Sequence, residues 1–591
     1  MAADSSGMLF GIADHGVALD DSAYSQNISL TANPLTYAIV VSPAEGPENS
    51  YTTATISTQS FTAAPNVWFG SLNGANFFLS PTGQAQATAS PSLVAGPVNV
   101  KIINPDGTEG NIPQGFTYGA VAFASPILAA PPSGGVSANL FGYGFGSDLT
   151  APAQVQFGNA AGSIQRNILF PVEYSFGYPF PLDHILASVP SGVPGAVDIT
   201  ISSASGTAKI PGGLHYLQDV TDYPSPDTFQ FILYDSKRQQ LYLSATDHID
   251  VFSLSTHSFL APITPPSLGS TRQLMGLALM PDSSKLLCAN YSDNSVAIID
   301  PDSPLTAQAV QVVPTGSTPY IEGPTELVAT STNHAFITIG NSNMISGGTG
   351  AIYDLDLSSL TVTQQQVGFL QIGGNYLSAS RDGSKVFVAV PGTAPAYCYV
   401  WSAALGAWST GQPAGLIYDA ATSGDGSVFA VGSQGGIGDA GTTIAFVDSF
   451  VNRLSLTGLP EYLDASPATQ GMKLNDAGSL LYVPVFSNIP TAGASFSQNA
   501  VDIYDVQQNQ LRERVLFSQQ FLPQTQGLST MAIDPSGQHI FLLTKGGMTI
   551  ATLDAVPVSI GSVTPYSGPA GTPITIRGSG FSSATTATFN G

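Results

Sequence analysis

Cys288-Ala289-Asn290-Tyr291-Ser292-Asp293-Asn294-Ser295-Val296-Ala297-Ile298-Ile299-Asp300 ends one apolar run, crosses a polar turn and enters a second apolar run that stops at an aspartate. Just upstream, Asp282-Ser283-Ser284 precedes Leu286-Leu287-Cys288. The unit is therefore turn, strand, turn, strand, with polar residues where the chain must reverse. It recurs along the chain. Asp235-Ser236-Lys237 precedes Leu241-Tyr242-Leu243, Asp382-Gly383-Ser384 precedes Val386-Phe387-Val388, and Asp425-Gly426-Ser427 precedes Val428-Phe429-Ala430. Asp476-Ala477-Gly478 precedes Leu481-Tyr482-Val483, and Asp534-Pro535-Ser536-Gly537 precedes Ile540-Phe541-Leu542. A degenerate copy, Ser331-Thr332-Asn333, stands before Ala335-Phe336-Ile337. The second halves alternate as half-buried strands do, as in Ile249-Asp250-Val251-Phe252 and Val501-Asp502-Ile503-Tyr504-Asp505.

Successive turn markers stand 43 to 58 residues apart, close to the roughly 40 to 50 residues of one four-stranded propeller blade. The spacing predicts an all-β chain with a seven-bladed β-propeller over residues 217–555. The last unit ends after its third strand at Asp554, so its fourth strand is expected from His215 to Val220, a closure that leaves no open sheet edge. The stretch from Cys288 to Asp300 resembles the YVTN-type propeller repeats. That likeness is strongest in the second unit and weaker in the third and fifth.

A second repeat flanks the first. Ile39-Val40-Val41-Ser42-Pro43 leads to Gly46-Pro47, then Val67-Trp68-Phe69-Gly70, Val98 to Gly107 and Phe116-Thr117-Tyr118. This series resembles an IPT/TIG domain, an immunoglobulin-like β-sandwich. A second copy runs through Ser125-Pro126, Gly142 to Phe145, Val155 to Gly158, Val197 to Ile201 and Leu214-His215-Tyr216, with Ser202 to Gly206 replacing the Asn104-Pro105-Asp106-Gly107 turn of the first. A third begins at Ile560 and reaches Gly591 about halfway through the pattern. Met1 to Phe10 resembles Met531 to Phe541, so residues 1–21 are expected to be the tail of a preceding propeller. The expected order is that tail, sandwiches at 22–120 and 121–216, the propeller at 217–555, and a truncated sandwich at 556–591, all cut from a longer parent.

Composition narrows the function. Hydrophobic residues make up 43% of the 591 and charged residues 9%, so real cores are buried under a largely neutral polar surface. The net charge of −24 disfavours nucleic acid and anionic membrane surfaces as partners. No apolar run approaches the ~20 residues that would insert into a bilayer, and the acidic, non-basic N-terminus lacks a signal peptide's pattern. Cys288 and Cys398 fall in non-adjacent units and are expected to be buried thiols.

Catalysis needs convergent titratable groups, and the seven histidines do not converge in the sequence pattern. All are expected to be solvated, mostly in turns. No nucleophile elbow, zinc helix or phosphate loop occurs. The pairs Asp300/Asp302 and Asp354/Asp356 lack the longer oxygen-rich loop of a calcium site and are expected at strand ends. Neither catalytic nor metal nor cofactor-binding residues are assigned. The aromatic segment Tyr174, Phe176, Tyr178 and Phe180 is expected to pack against the adjoining propeller, or to stack on a sugar or partner if exposed.

The turns between second and third strands vary in length. Gly340 to Gly350, Gly432 to Thr442 and Phe486 to Asn499 are long and crowd one sector of one face. Long loops on a rigid scaffold are where binding residues sit. The candidate face is Asn341, Asn343, Gln434, Asp439, Asn488, Phe496 and Asn499, mainly neutral hydrogen-bonding groups suited to a glycan or protein ligand. The expectation is a non-enzymatic adhesion-type protein, secreted or at a bacterial cell surface, with sandwich modules as spacers. The alternative is a lactonase-like or other hydrolytic propeller.

Overall fold

The computed structural model of the chain describes residues 2–3, 10–11, 40–42, 44–46, 51–57, 66–79, 84–92, 96–105, 109–123, 126–145, 153–170, 182–203, 206–312, 322–341, 351–365, 376–390, 396–414, 416–434, 442–448, 453–458, 471–491, 494–522, 529–565 and 567–588. Apart from the 3-10 turns Tyr291–Asp293 and Pro304–Thr306, every regular element among the described residues is a β-strand. Among the described residues, no helix is long and apolar enough to cross a membrane. The chain divides into two compact units: Met1–Phe123 with Asn139–Ala187 and Ile199–Ile210, and Ala124–Ala138 with Ser188–Asp198 and Pro211–Gly591.

In the first unit, one sheet orders Glu45–Gly46, Glu109–Tyr118, Gly96–Ile103, Asn66–Phe69 and Leu72–Asn73. A second orders Val40–Ser42, Thr52–Ser57, Gln84–Ala89 and Ala75–Leu79. Alternation along the strands sends Ile56 and Ala87 from one sheet, and Phe69, Val100, Phe116 and Tyr118 from the other, into a single core. Phe69 meets Phe116 edge-to-face at 5.1 Å. Further along, Gln154–Phe157 pairs with Ala160–Phe170 on one side, and Val155 stands opposite Ile201 on the other. The aromatic segment Tyr174 to Phe180 lies outside the described residues.

The second unit is a succession of sheets built on antiparallel up-and-down meanders; the one begun by Lys473–Leu474 continues through Gln510–Phe517 into a parallel pairing with Ile127–Ala130. Phe231–Asp235, Gln240–Ser244, Ile249–Ser253 and Ser258–Phe259 form one, and Leu274–Leu279, Leu286–Asn290, Ser295–Ile299 and Gln308–Gln311 the next. Glu322–Ala329, His334–Asn341, Ile352–Asp356 and Thr361–Gln365 follow. The sheets begun by Tyr376–Ala379, Leu416–Thr422 and Lys473–Leu474 repeat the order. A further sheet runs Asp219–Pro224, Gly547–Thr552, His539–Thr544, Met531–Ile533. Its outer strand comes from the N-terminal side, paired from Asp219↔Thr552 to Pro224↔Gly547, a few residues later than the sequence suggested.

Each sheet packs on the next through apolar side chains, and the last returns to the first. Phe336 packs with Trp401, Phe387 with Phe429, and Leu241 and Leu243 with Phe541 and Leu543. Each fully buried side chain of this size contributes about 1.5 to 3 kcal/mol. The architecture is all-β and propeller-like.

The recurrent aspartates act locally. Asp282 Oδ1 accepts the Ser284 N–H at 2.9 Å, Asp382 Oδ1 that of Ser384 at 2.9 Å, and Asp425 Oδ1 that of Ser427 at 3.0 Å. These are Asx turns, in which a short carboxylate satisfies the backbone two residues on. Neighbouring first turns are then tied together: Ser331 N–H donates to Gly383 O at 2.9 Å, Gly424 N–H to Asp476 O at 3.1 Å, and Asp476 N–H to Pro535 O at 3.0 Å. At Gly383 (φ 66°) a Cβ would run into the Ser331 nitrogen, so glycine permits both the left-handed turn and the close approach.

Both cysteines are free and buried, Cys288 in Leu286–Asn290 and Cys398 in Ala396–Ser402. Burial pushes the Cys398 thiol up to about 12 and raises that of Cys288 too, so both stay protonated.

Candidate ligand channel and binding face

The sequence placed the candidate face in long loops, and part of that reading changes. Phe486 to Asn499 is not a loop: Leu480–Thr491 and Ala494–Asp505 form one continuous hairpin, paired from Leu480↔Asp505 out to Thr491↔Ala494. Asn488 stands opposite Ser497, and Phe496 opposite Ile489. Asn499 is buried, opposite Phe486, with its side-chain oxygen 3.5 Å from the Phe521 nitrogen. Asn341 and Gln434 end strands, opposite Glu322 and Leu416 respectively. Asn343 and Asp439 lie outside the described residues.

The histidines also depart from a uniform set of solvated positions. His184 is buried, its Nε2 2.8 Å from Asn139 Oδ1 and its ring stacked on Phe141 at 4.5 Å. Burial, with the Arg166 charge, pushes it down to about 3, so it stays neutral. His215 Nδ1 sits 3.2 Å from Glu513 Oε1, and His334 Nδ1 2.8 Å from Asp354 Oδ1. His15 lies outside the described residues. His248 stands among three carboxylates: its Nδ1 is 2.8 Å from Asp247 Oδ1, and its Nε2 is 3.2 Å from Asp250 Oδ1 and 3.7 Å from Asp227 Oδ2. Ligand atoms of Asp227, His248 and Asp250 lie within 4.8 Å of one another, a set able to hold a divalent cation. A protonated imidazole satisfies the same carboxylates. The sequence does not reveal this grouping, because Asp227 comes from a different connection than His248 and Asp250.

The acidic pairs have local duties. Arg238 Nε and Nη2 grip Asp302 in a fork at 2.7 and 2.6 Å, while Arg238 Nη1 reaches Asp235 at 2.8 Å and the Ser283 carbonyl at 2.9 Å. Asp356 Oδ1 accepts the Ser358 N–H at 2.8 Å.

What the sequence did not reveal is a cavity of about 320 Å³ enclosed by the first strands of the successive sheets. Glu326 and Lys473 bring charge into it from two different sheets, and Asp419, on a third, stands close enough to act on both. Each carboxylate is aimed by backbone. Glu326 Oε2 accepts the Leu377 N–H at 2.9 Å; Asp419 Oδ2 accepts that of Met472 at 2.7 Å and Oδ1 that of Ala420 at 2.7 Å. Burial raises the Glu326 carboxyl well above its ordinary range, with the Asp419 charge adding to this and Lys473 opposing it. Burial pushes Asp419 up to about 6 against the pull of Lys473 and its backbone donors. The Lys473 ammonium is lowered by burial, with both carboxylates partly restoring it. The cavity reaches the first turns, where Arg381 Nε meets Asp476 Oδ1 at 2.8 Å, both 40% exposed.

Comparisons with known proteins cover the C-terminal residues and, among solved structures, a little over half of the chain. The IPT/TIG domain family matches residues 557–591, where Ser559–Thr564 pairs with Thr575–Ser579. No curated protein matches the chain by sequence. Among solved structures, the chain is similar to the β-propeller domain of Myceliophteria thermophila Cps50 (Swd1), at 9% identity and TM-score 0.42 over 56% of this chain and 99% of that one. It is similar to Kuenenia stuttgartiensis hydrazine synthase at 14% identity and TM-score 0.40, over 56% and 98%. It is also similar to U3-55K, at 12% identity and TM-score 0.38 over 57% and 98%.

Proposed function

We propose that the chain is a non-catalytic binding protein of the cell surface or extracellular space, a seven-bladed YVTN-type propeller spaced by IPT/TIG modules. Its partner is a protein strand that adds to the hairpin Leu480–Thr491/Ala494–Asp505. One observation carries this reading. The neighbouring strand Gln510–Phe517 covers the hairpin only as far as Asn499↔Phe517, and Lys473–Leu474 covers the other side only at Leu481 and Tyr482. Beyond these, from Phe486 to Thr491 and from Ala494 to Gln498, the ribbon pairs only with itself among the described residues. Unpaired strand edges are templates for strand addition, the backbone supplying affinity and alternate side chains specificity. The acidic charge of −24 suits a partner with basic flanks.

The test replaces Ser487 to Gln498 with an Asn-Gly turn, confirms folding by thermal melting, and screens parent and trimmed chains on protein and glycan arrays. Protein binding lost on trimming supports the reading. Unchanged binding removes the ribbon from it, and binding to glycans alone replaces the partner class.

A hydrolytic propeller is the second reading, favoured by Glu326 in the cavity wall with Asp419 near it, both with raised proton affinity. Turnover of an ester and lactone panel by the whole chain, abolished by Glu326→Gln, would establish it. Absence of turnover leaves the binding reading.

A further inference from the structure

The connection that leads from the closing strand Asp219–Pro224 into the first sheet passes beside the turn before Ile249–Ser253, and three ligand-bearing side chains meet there. Asp227 belongs to the connection, His248 to the turn and Asp250 to the strand. Both backbones are held: the Ser225 N–H donates to Gly546 O at 3.0 Å, the Asp227 N–H to Ser225 Oγ at 3.2 Å, and the Ala245 N–H to His248 O at 2.9 Å. The side chains of Asp250, His248 and Asp227 are 13%, 24% and 37% exposed, so the group is partly shielded and still open to solvent. With His248 Nδ1 engaged by Asp247 at 2.8 Å, Nε2 is left facing Asp250 Oδ1 at 3.2 Å and Asp227 Oδ2 at 3.7 Å. A single Nε2–H can point at only one of these two carboxylates. The charges point the same way. Asp227, Asp247 and Asp250 stand against His248 and Arg272, whose charge reaches Asp247 while its Nε donates to Pro265 O at 2.9 Å. A protonated imidazole therefore leaves one negative charge in the group, whereas a neutral imidazole with a dication leaves none. Bonds of about 2.0 to 2.1 Å from zinc to nitrogen and oxygen place neighbouring corners of a tetrahedron about 3.4 Å apart, and Nε2 already stands near that separation from both oxygens.

We propose that Asp227, His248 and Asp250 bind a divalent transition cation of the zinc class, with the imidazole Nε2 and one oxygen of each carboxylate as three ligands and water as the fourth. Asp247 accepts the proton at Nδ1 and so fixes the tautomer that leaves Nε2 free to coordinate. Calcium, which takes six to eight oxygen ligands, is a poor match to a set with one nitrogen and two carboxylates. The ion fastens the connection after the closing strand to the first sheet. Binding therefore favours the folded chain.

The experiment is isothermal titration of the whole chain with zinc chloride, and with calcium chloride as the oxygen-seeking control, in a non-chelating buffer, with thermal melting beside it. Zinc binds with saturation at one equivalent and raises the melting temperature, and calcium binds at least about tenfold more weakly. His248→Gln and Asp250→Asn each weaken zinc binding about tenfold or more and remove the thermal shift. His334→Gln, which alters a histidine paired with the single carboxylate of Asp354, leaves both readouts as in the parent and so separates the site from adventitious binding at other histidines. Asp227→Asn changes the most exposed of the three ligands, in a connection rather than a strand, and carries the same expectation where Asp250→Asn fails to fold. No saturable zinc binding, calcium bound as tightly as zinc, or zinc binding unchanged in both His248→Gln and Asp227→Asn overturns the proposal. The ribbon-trimmed chain keeps all three ligands, so the site is tested independently of the strand-addition reading.

Discussion

Ser283 occupies a left-handed conformation (φ 58°) that Gly383, Gly426 and Gly478 adopt at the equivalent turns (φ 66°, 65° and 63°). Its N–H closes the turn onto Met280 O at 2.7 Å, and its carbonyl takes Arg238; both are backbone groups that glycine retains. Ser283→Gly therefore stabilises the chain by about 1 kcal/mol, read as a higher urea midpoint, since a side chain in this region is disfavoured by about that amount. A lower midpoint would show that the hydroxyl matters more than the backbone. Glu45 gives the residue scale a pH signature. Burial first, then the Asp183 charge, push its carboxyl from 4.5 up to about 7 against the Gly144 N–H bond. Between those values the folded chain binds the proton more tightly than the unfolded one. The stabilisation is thus complete below pH 4.5 and is lost as pH rises through 7. His184, pushed down to about 3, works oppositely: its contribution is present above its ordinary 6.5 and is lost as pH falls toward 3. The two offset in a raw curve, so the informative quantity is the difference between parent and Glu45→Gln. That difference should move by roughly 2 kcal/mol in favour of the variant between pH 4.5 and 8. A flat difference would mean Glu45 is not buried beside Asp183.

At the scale of elements, the strand pair Ala494–Asp505 and Gln510–Phe517 is locked by a buried fork: Arg514 Nε to Asp502 Oδ1 at 2.7 Å and Nη2 to Oδ2 at 2.9 Å, with Asp502 and Arg514 directly opposite. Asp502→Ala should cost about 3 to 5 kcal/mol, because it strands a guanidinium, whereas the double variant Asp502→Leu/Arg514→Met should fall within about 1 to 2 kcal/mol of the parent. Equal losses in both would locate the effect in packing. A second element-level contact is the docking of Ser559–Thr564 on the first turns. Ser559 Oγ donates to Ser479 O at 3.1 Å, and a Cβ on Gly561 would collide with the Ala477 carbonyl oxygen. Gly561→Ala should release this strand to proteases that spare the parent. Elements of this kind were unequally legible. The Asp turns and alternating runs were readable because the forces that form them act within a few residues. The ribbon reads as a loop in the sequence, where Pro490, Gly493 and Ser495 interrupt the apolar pattern, yet Phe486-Ser487-Asn488-Ile489 and Ser495-Phe496-Ser497-Gln498 continue the pairing. Glu326, Asp419 and Lys473 stand on the first strands of three different sheets. Only the curvature that brings successive first strands together makes them a site, and no local pattern encodes it.

For the whole molecule, the decisive pairing is Asp219–Pro224 with Gly547–Thr552, which joins residues from opposite ends of the second unit. It is reinforced by the Thr549 hydroxyl on Asp222 Oδ1 at 2.6 Å, by the Ile232 N–H on Ser529 O at 2.9 Å, and by Leu241 and Leu243 packed with Phe541 and Leu543. Such a contact carries a large loop-closure entropy, recovered only when every intervening sheet is formed. It therefore couples their unfolding into one transition. Two truncations separate this role from that of the modules: a chain starting at Leu217 keeps the closing strand, and one starting at Gln230 loses it. The first should melt in one cooperative step near the temperature of the corresponding transition in the full chain. The second exposes the outer edge of Gly547–Thr552, an unpaired template for another chain. It should melt several degrees lower, by a broader transition, and self-associate with rising concentration in sedimentation velocity. Identical melting and a monomeric state for both truncations would mean that the inter-sheet packing closes the structure without this strand, and that the hydrogen-bonded seam is dispensable.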